Sequence, residues 1–120
     1  MADALDIPAI IKAQGVQGQQ ASQIVPQILP GYNPAIQNTA YNPAKASQLL
    51  AGLPNVSKPL VLAYAEGDNA EAAEIVKELN AAGFNVQSTL VQDFSSFETN
   101  VVGGDYDMYI VCLLYTSRCV

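Results

Sequence analysis

Three groupings of residues in this sequence are of types that could do chemistry. Asp105 and Asp107 bracket Tyr106, and paired carboxylates can pass a proton or hold a metal ion. Their neighbours add no further carboxylate and no calcium-loop spacing, so the plainer reading makes them turn and strand-start residues. Gly67-Asp68-Asn69 lies between an apolar run and a helical pattern, a place where a helix N-terminus can take phosphate or another anion. No glycine-rich dinucleotide or phosphate-loop signature accompanies it. Asp68 would also repel an anion, which favours a simple helix cap. Cys112 and Cys119 could form a disulfide, but no cysteine framework surrounds them.

Other residues suit binding rather than reaction. Tyr32, Tyr41, Tyr64, Tyr106 and Tyr109 could build a surface for stacking sugars or peptides. Taken singly, each is more simply explained as partly buried packing. The glutamine-rich stretch from Gln14 to Gln23 offers amide donors and acceptors for polar ligands. Its plainer reading is a solvated loop.

What is missing narrows the chemistry further. The chain has no histidine, so the commonest general base and metal ligand is gone. A Ser-His-Asp or Cys-His constellation is excluded within this chain. No catalytic residue, metal site or cofactor is assigned, and the sequence does not single out ligand contacts. The net charge is -6 and charged residues make up 13% of the chain. The basic residues Lys12, Lys45, Lys58, Lys77 and Arg118 are scattered. Phosphate binding needs clustered cations, so nucleic acid and a basic membrane-surface helix are both disfavoured. No apolar run approaches the ~20 residues that span a bilayer. The N-terminus lacks the basic start and apolar core of a signal peptide, so an export signal would lie outside this chain.

The elements that must position these residues are marked by caps and periodicity. Ala2 to Ala13 reads as helical with a restart at Asp6-Ile7-Pro8, where Asp6 caps and Pro8 suits a first turn. Ile7, Ile10 and Ile11 give it one buried face, and Gln14-Gly15 ends it. Gln14 to Tyr41 has no sustained periodicity, and Pro26, Pro30 and Pro34 restrict its backbone. Ile24, Val25, Ile28, Leu29, Tyr32 and Ile36 then predict a long ordered loop anchored across a packed body. Asn42 and Pro43 open the next helix, with Ala46, Leu49 and Leu50 inside and Gly52 as its stop.

The second half is β-α-β-α-β. Leu60 to Tyr64 predicts a buried strand. Asp68 with Glu71 predicts a capping box. Ala72, Ile75, Val76 and Leu79 then fall on one helical face. Gly83 fits a left-handed cap, with Phe84 folding back. Val86 to Val91 predicts a second strand, reached by a right-handed crossover. Asp93 caps a helix with Phe94, Phe97 and Val101 inside, and Gly103-Gly104 ends it. Tyr109 to Val111 begins a third strand. Three strands leave edges and faces uncovered, so the sheet reads as part of a larger one.

The last nine residues, Cys112 to Val120, look foreign. They resemble a translated sequencing adapter, a transposase mosaic end followed by its reverse complement. Such scars are set aside in fold reasoning, and the redox inference from both cysteines goes with them. The other reading is an apolar strand from Tyr109 to Tyr115.

From Ala2 to Val111 several segments arrive in one order: ADALDIPAII, VPQILPGYNP, YNPAKASQLLAGL, AEAAEIVKELNAAGFNVQSTLVQDFSSF and GGDYDM. This series resembles the C-terminal lobe of bacterial extracellular solute-binding proteins of family 5, the peptide and nickel binders of ABC importers. Asn42 stands where the family usually has Asp, and both residues cap helices. After Met108 the family continues with a tryptophan-containing segment that is replaced here. The resemblance implies an α/β fold, a partial C-terminal lobe of the type II periplasmic-binding-protein kind. It implies βαβ units with a mixed sheet, preceded by helices and the proline-rich loop. The expected division is 1–111 for the lobe and 112–120 for a non-native tail. The implied function is capture of a peptide or similar small solute and its delivery to a membrane permease, without catalysis. The intact protein would be periplasmic or extracellular, anchored at the cell surface, and monomeric. A free-standing α/β interaction or regulatory domain is the alternative, and an enzyme fragment the third reading.

Overall fold

Side-chain caps set most of the helix starts. In the computed structural model, which describes residues 1–54 and 58–111, a 3-10 turn at Ala2–Ala4 precedes α1 (Ile7–Gln14). Asp6 accepts from the Ala9 amide at 3.2 Å, and Gly15 closes α1 in the left-handed conformation at φ 73°. The chain then runs irregularly to α2 (Pro43–Ala51), where Asn42 accepts from the Lys45 amide at 2.9 Å. Both caps satisfy donors that a helix start leaves without partners.

The βα units follow: β1 (Leu60–Ala65), α3 (Asn69–Ala81), β2 (Val86–Val91), α4 (Phe94–Gly103) and β3 (Met108–Tyr109). The strand order is β2-β1-β3, with Leu60 opposite Val86 and Leu62 opposite Met108. The α/β class therefore stands. Where a mixed sheet was expected, all the described strands pair in parallel. The third strand starts one residue earlier than the apolar run suggested and is only two residues long. Asp107 anchors its start by donating its amide to the Val61 carbonyl at 3.1 Å.

Four other expectations need correction. The Asp68–Glu71 capping box does not form: the Asp68 amide is taken by the Ala65 carbonyl at 3.2 Å, and its side chain makes no cap bond. Leu49 is 58% exposed, because α2 turns Ala46 and Leu50 inward. The Ser47 hydroxyl donates to the Ala82 carbonyl at 2.9 Å and fixes that rotation. Phe94 is exposed rather than inside α4. The loop between α1 and α2 is ordered, but of its six expected apolar anchors only Val25 and Tyr32 are half-buried. Ile24, Ile28, Leu29 and Ile36 are all exposed, Ile28 by 90%. The loop is held from within. Gln23 donates to the Asn33 carbonyl at 2.8 Å and accepts from the Asn33 amide at 3.2 Å. Prolines leave few backbone donors for ladders, so side-chain amides do that work.

The core lies where α3 and α2 meet the sheet. Ala4, Ala46, Leu62, Ala72, Leu79, Ala82 and Val86 are buried together. Four of these are alanines, so helices approach the sheet closely and little apolar volume is enclosed. The large fully buried side chain is Leu79, 1% exposed. Glu78 ties α1 to α3 by accepting from the Asp6 amide at 2.7 Å.

The α3 C-terminus closes as a Schellman motif: Phe84 donates to the Leu79 carbonyl and Gly83 to the Asn80 carbonyl. Gly83 has φ 101°, and a Cβ there would sit 3.3 Å from Leu50 Cδ2. Gly83→Ala is therefore expected to destabilise the chain by about 1–2 kcal/mol. Asn, which tolerates this conformation better, should cost less in strain. Urea denaturation midpoints of the two variants check this ranking.

Candidate functional site

A parallel sheet gathers its loops at one edge. Here β1 ends at Ala65, β2 at Val91, and β3 runs on into Ile110 and Val111. From β1 the chain crosses to β2 on one side, then returns past β1 to β3 on the other. Loops diverge at such a switch point and leave a crevice outside the strand carboxyl ends. A cleft of about 490 Å³ lies there, lined by Ala65, Glu66, Asp68, Val91, Gln92, Phe94, Phe97, Ile110 and Val111.

One wall is aromatic. Phe97 is buried at the centre of a ring cluster. Phe94 stacks at 6.1 Å, Tyr106 stacks at 6.3 Å, and Tyr109 meets it edge-on at 5.8 Å. Aromatic pairs favour these offset and edge geometries. The Tyr106 hydroxyl accepts from Asn100 at 2.9 Å, which pins that ring to α4. Phe94 stands 70% exposed above this support.

The other wall is acidic. Glu66 and Asp68 follow β1 directly, and no Lys or Arg is among the described lining residues. Gln14 of α1 donates to Asp68 at 3.4 Å. Asp93 caps α4 by accepting from the Ser96 amide at 2.9 Å and its hydroxyl at 2.7 Å. Those two bonds hold its carboxyl below the ordinary range. Glu71, one turn into α3, is shifted the other way, first by burial and then by the nearby Asp68 charge.

The Glu71 shift has a definite sign. Its folded-state pKa lies above the unfolded value, so the folded chain keeps that proton to higher pH. Stability falls as pH rises through this window, and the penalty is fully present above it. Glu71→Gln should therefore raise the urea midpoint at pH 7, and the gain should vanish well below pH 4.5, the ordinary value. Denaturation curves at the two pH values check this.

The residues singled out from the sequence do not form one site. Asp105 closes α4, its amide bonding the Asn100 carbonyl at 3.0 Å. The Asp107 carboxylate accepts from the Val61 amide at 2.9 Å and so joins the sheet. The plainer reading of that pair holds. Among the tyrosines, Tyr106 and Tyr109 belong to the ring cluster. Tyr32 sits in the loop, where Gln27 donates to it at 3.3 Å. Tyr64 packs against the core, and Tyr41 is exposed. Gln19 and Gln20 line a separate groove of about 470 Å³ beside α1. Cys112, Cys119 and the rest of 112–120 lie outside the described residues. Among the described residues, no group of three or more His, Cys, Asp or Glu is placed to hold a metal. No described helix is long and apolar enough to cross a membrane.

Glu66, Gln92 and Phe94 escape a motif search, because the sheet brings them together from separate turns. The available signal is positional: each lies within a few residues of the carboxyl end of a predicted strand.

The family model described as "Bacterial extracellular solute-binding proteins, family 5 Middle" matches residues 1–115. Its last four matched positions, 112–115, fall within the segment that resembles an adapter. No curated protein matches.

Proposed function

Since the chain belongs to the bacterial extracellular solute-binding proteins of family 5, we propose that it captures a peptide or similarly small solute at the carboxyl edge of its sheet. The family supplies the substrate-binding component of ABC importers, works outside the cytoplasm, hands solute to a permease, and is not enzymatic. The observation that supports peptides is the pairing of an exposed aromatic, Phe94, with carboxylates at one cleft. Tyrosine and phenylalanine surfaces bind side chains, and carboxylates and amides bind termini and backbone.

In this proposal residues 1–111 are part of one lobe of a hinged pair, and 112–120 are a non-native tail. The intact protein is monomeric and anchored at the cell surface. Several features support a missing neighbour. Among the described residues, β2 and β3 are edge strands. Leu49, Leu53 and Val102 are also exposed, as expected of faces built to be covered. Closing a second lobe over the cleft would be a hinge motion that selects the bound state.

Saturation-transfer NMR on the chain tests the solute class. Two pools are compared, one of short peptides and one of mono- and disaccharides. Peptide signals should be saturated and sugar signals should not. Saturation of sugars alone, or of neither pool, overturns the proposal.

A further inference from the structure

The cleft carries a selectivity that follows from its two walls, given the solute-binding reading above. We propose that Phe94 is its specificity-determining contact, seating the apolar side of a solute whose positive charge faces Glu66 and Asp68.

The stack on Phe97 accounts for only part of the Phe94 ring. Phe94 is the first residue of α4 and is 70% exposed. Exposure of a large ring costs stability unless something covers it. Its backbone is fixed by the Asp93 cap, and its ring rests on buried Phe97. A rigid, supported aromatic on a concave surface is a ready anchor at low entropic cost. Val91 and Ile110 extend the apolar floor beside it.

The charge of the solute follows from a balance of opposing fields. The starts of α3 and α4 both face this edge, and each helix N-terminus contributes about half a positive charge. Those ends favour an anion. Glu66 and Asp68 line the cleft with full formal charges, and Asp93 already occupies the α4 terminus. The carboxylates outweigh roughly one unit of helix charge, and among the described lining residues no cation opposes them. The cleft thus prefers a cation, and its apolar floor rejects a small hydrated one.

Three probes with one pair of leucine side chains separate these terms: leucyl-leucinamide, N-acetyl-leucyl-leucinamide and N-acetyl-leucyl-leucine, which are cationic, neutral and anionic. Affinities are read by NMR titration of the chain. The cationic probe should bind about tenfold tighter than the neutral one, the scale of one charge-assisted hydrogen bond. The anionic probe should bind weakest. Phe94→Ala should weaken all three by about tenfold, from lost apolar burial, while keeping their order. The near-isosteric pair Glu66→Gln with Asp68→Asn should erase the order and leave the neutral probe unchanged. Asp68 makes no cap bond, so this pair should fold, and far-UV circular dichroism checks that it does. Equal binding of the cationic and anionic probes, or an unaffected Phe94→Ala variant, overturns the inference while the solute-binding reading stands. No binding of any probe overturns both.

Discussion

Leu79→Ala is expected to destabilise the chain by about 3–5 kcal/mol, the range for large-to-small changes at sites that cannot collapse. Leu79 is 1% exposed and sits in a cluster of four alanines with Leu62 and Val86. The alanines of this cluster have no longer side chains to swing into the void, and Leu62 and Val86 are themselves buried in a packed core, so much of the cavity should persist. Native domains hold a margin of only about 5–15 kcal/mol, and this core encloses little apolar volume. The variant should therefore populate unfolded chain at room temperature, seen as lost amide dispersion in NMR spectra. Leu79→Met, which keeps the volume, should cost under about 1.5 kcal/mol. A loss below about 1 kcal/mol for the alanine variant would mean that this core does not carry the fold.

Phe97→Ala should cost a similar amount, about 3–5 kcal/mol, but with a different spatial signature. Phe97 is the buried residue of α4, and three rings lean on it. The main core lies elsewhere, among α2, α3 and β1. Hydrogen exchange should show amides of α4 losing protection while those of α3 keep theirs, as expected of separable cooperative units. The cleft should lose its aromatic wall and its solute affinity together. Equal loss of protection in α3 and α4 would instead show a single unit.

The sequence marked local order well and tertiary exposure poorly. Asp6, Asn42 and Asp93 were legible as caps because capping is a contract between residues three apart. Gly83 was legible because few residues accept a positive φ. The Asp68–Glu71 box has the right spacing and still fails, since a carbonyl of the preceding strand claims the Asp68 amide. Spacing cannot report that competition. Leu49 and Phe94 look like core residues by periodicity. Helix rotation is decided by a Ser47 hydrogen bond in one case and by Phe97 packing in the other. The loop isoleucines were misjudged for a similar reason: an amide pair between Gln23 and Asn33 orders that loop without burying them. The cleft itself was not legible, because it exists only once three strand ends lie side by side.

The central claim is that solute meets this chain at the carboxyl edge of its sheet. Amide chemical-shift mapping with leucyl-leucinamide tests it directly. Shifts should concentrate at Ala65 to Asp68, Val91 to Phe94, and Ile110. Shifts confined to the loop between α1 and α2, or to the groove beside α1, would contradict the claim.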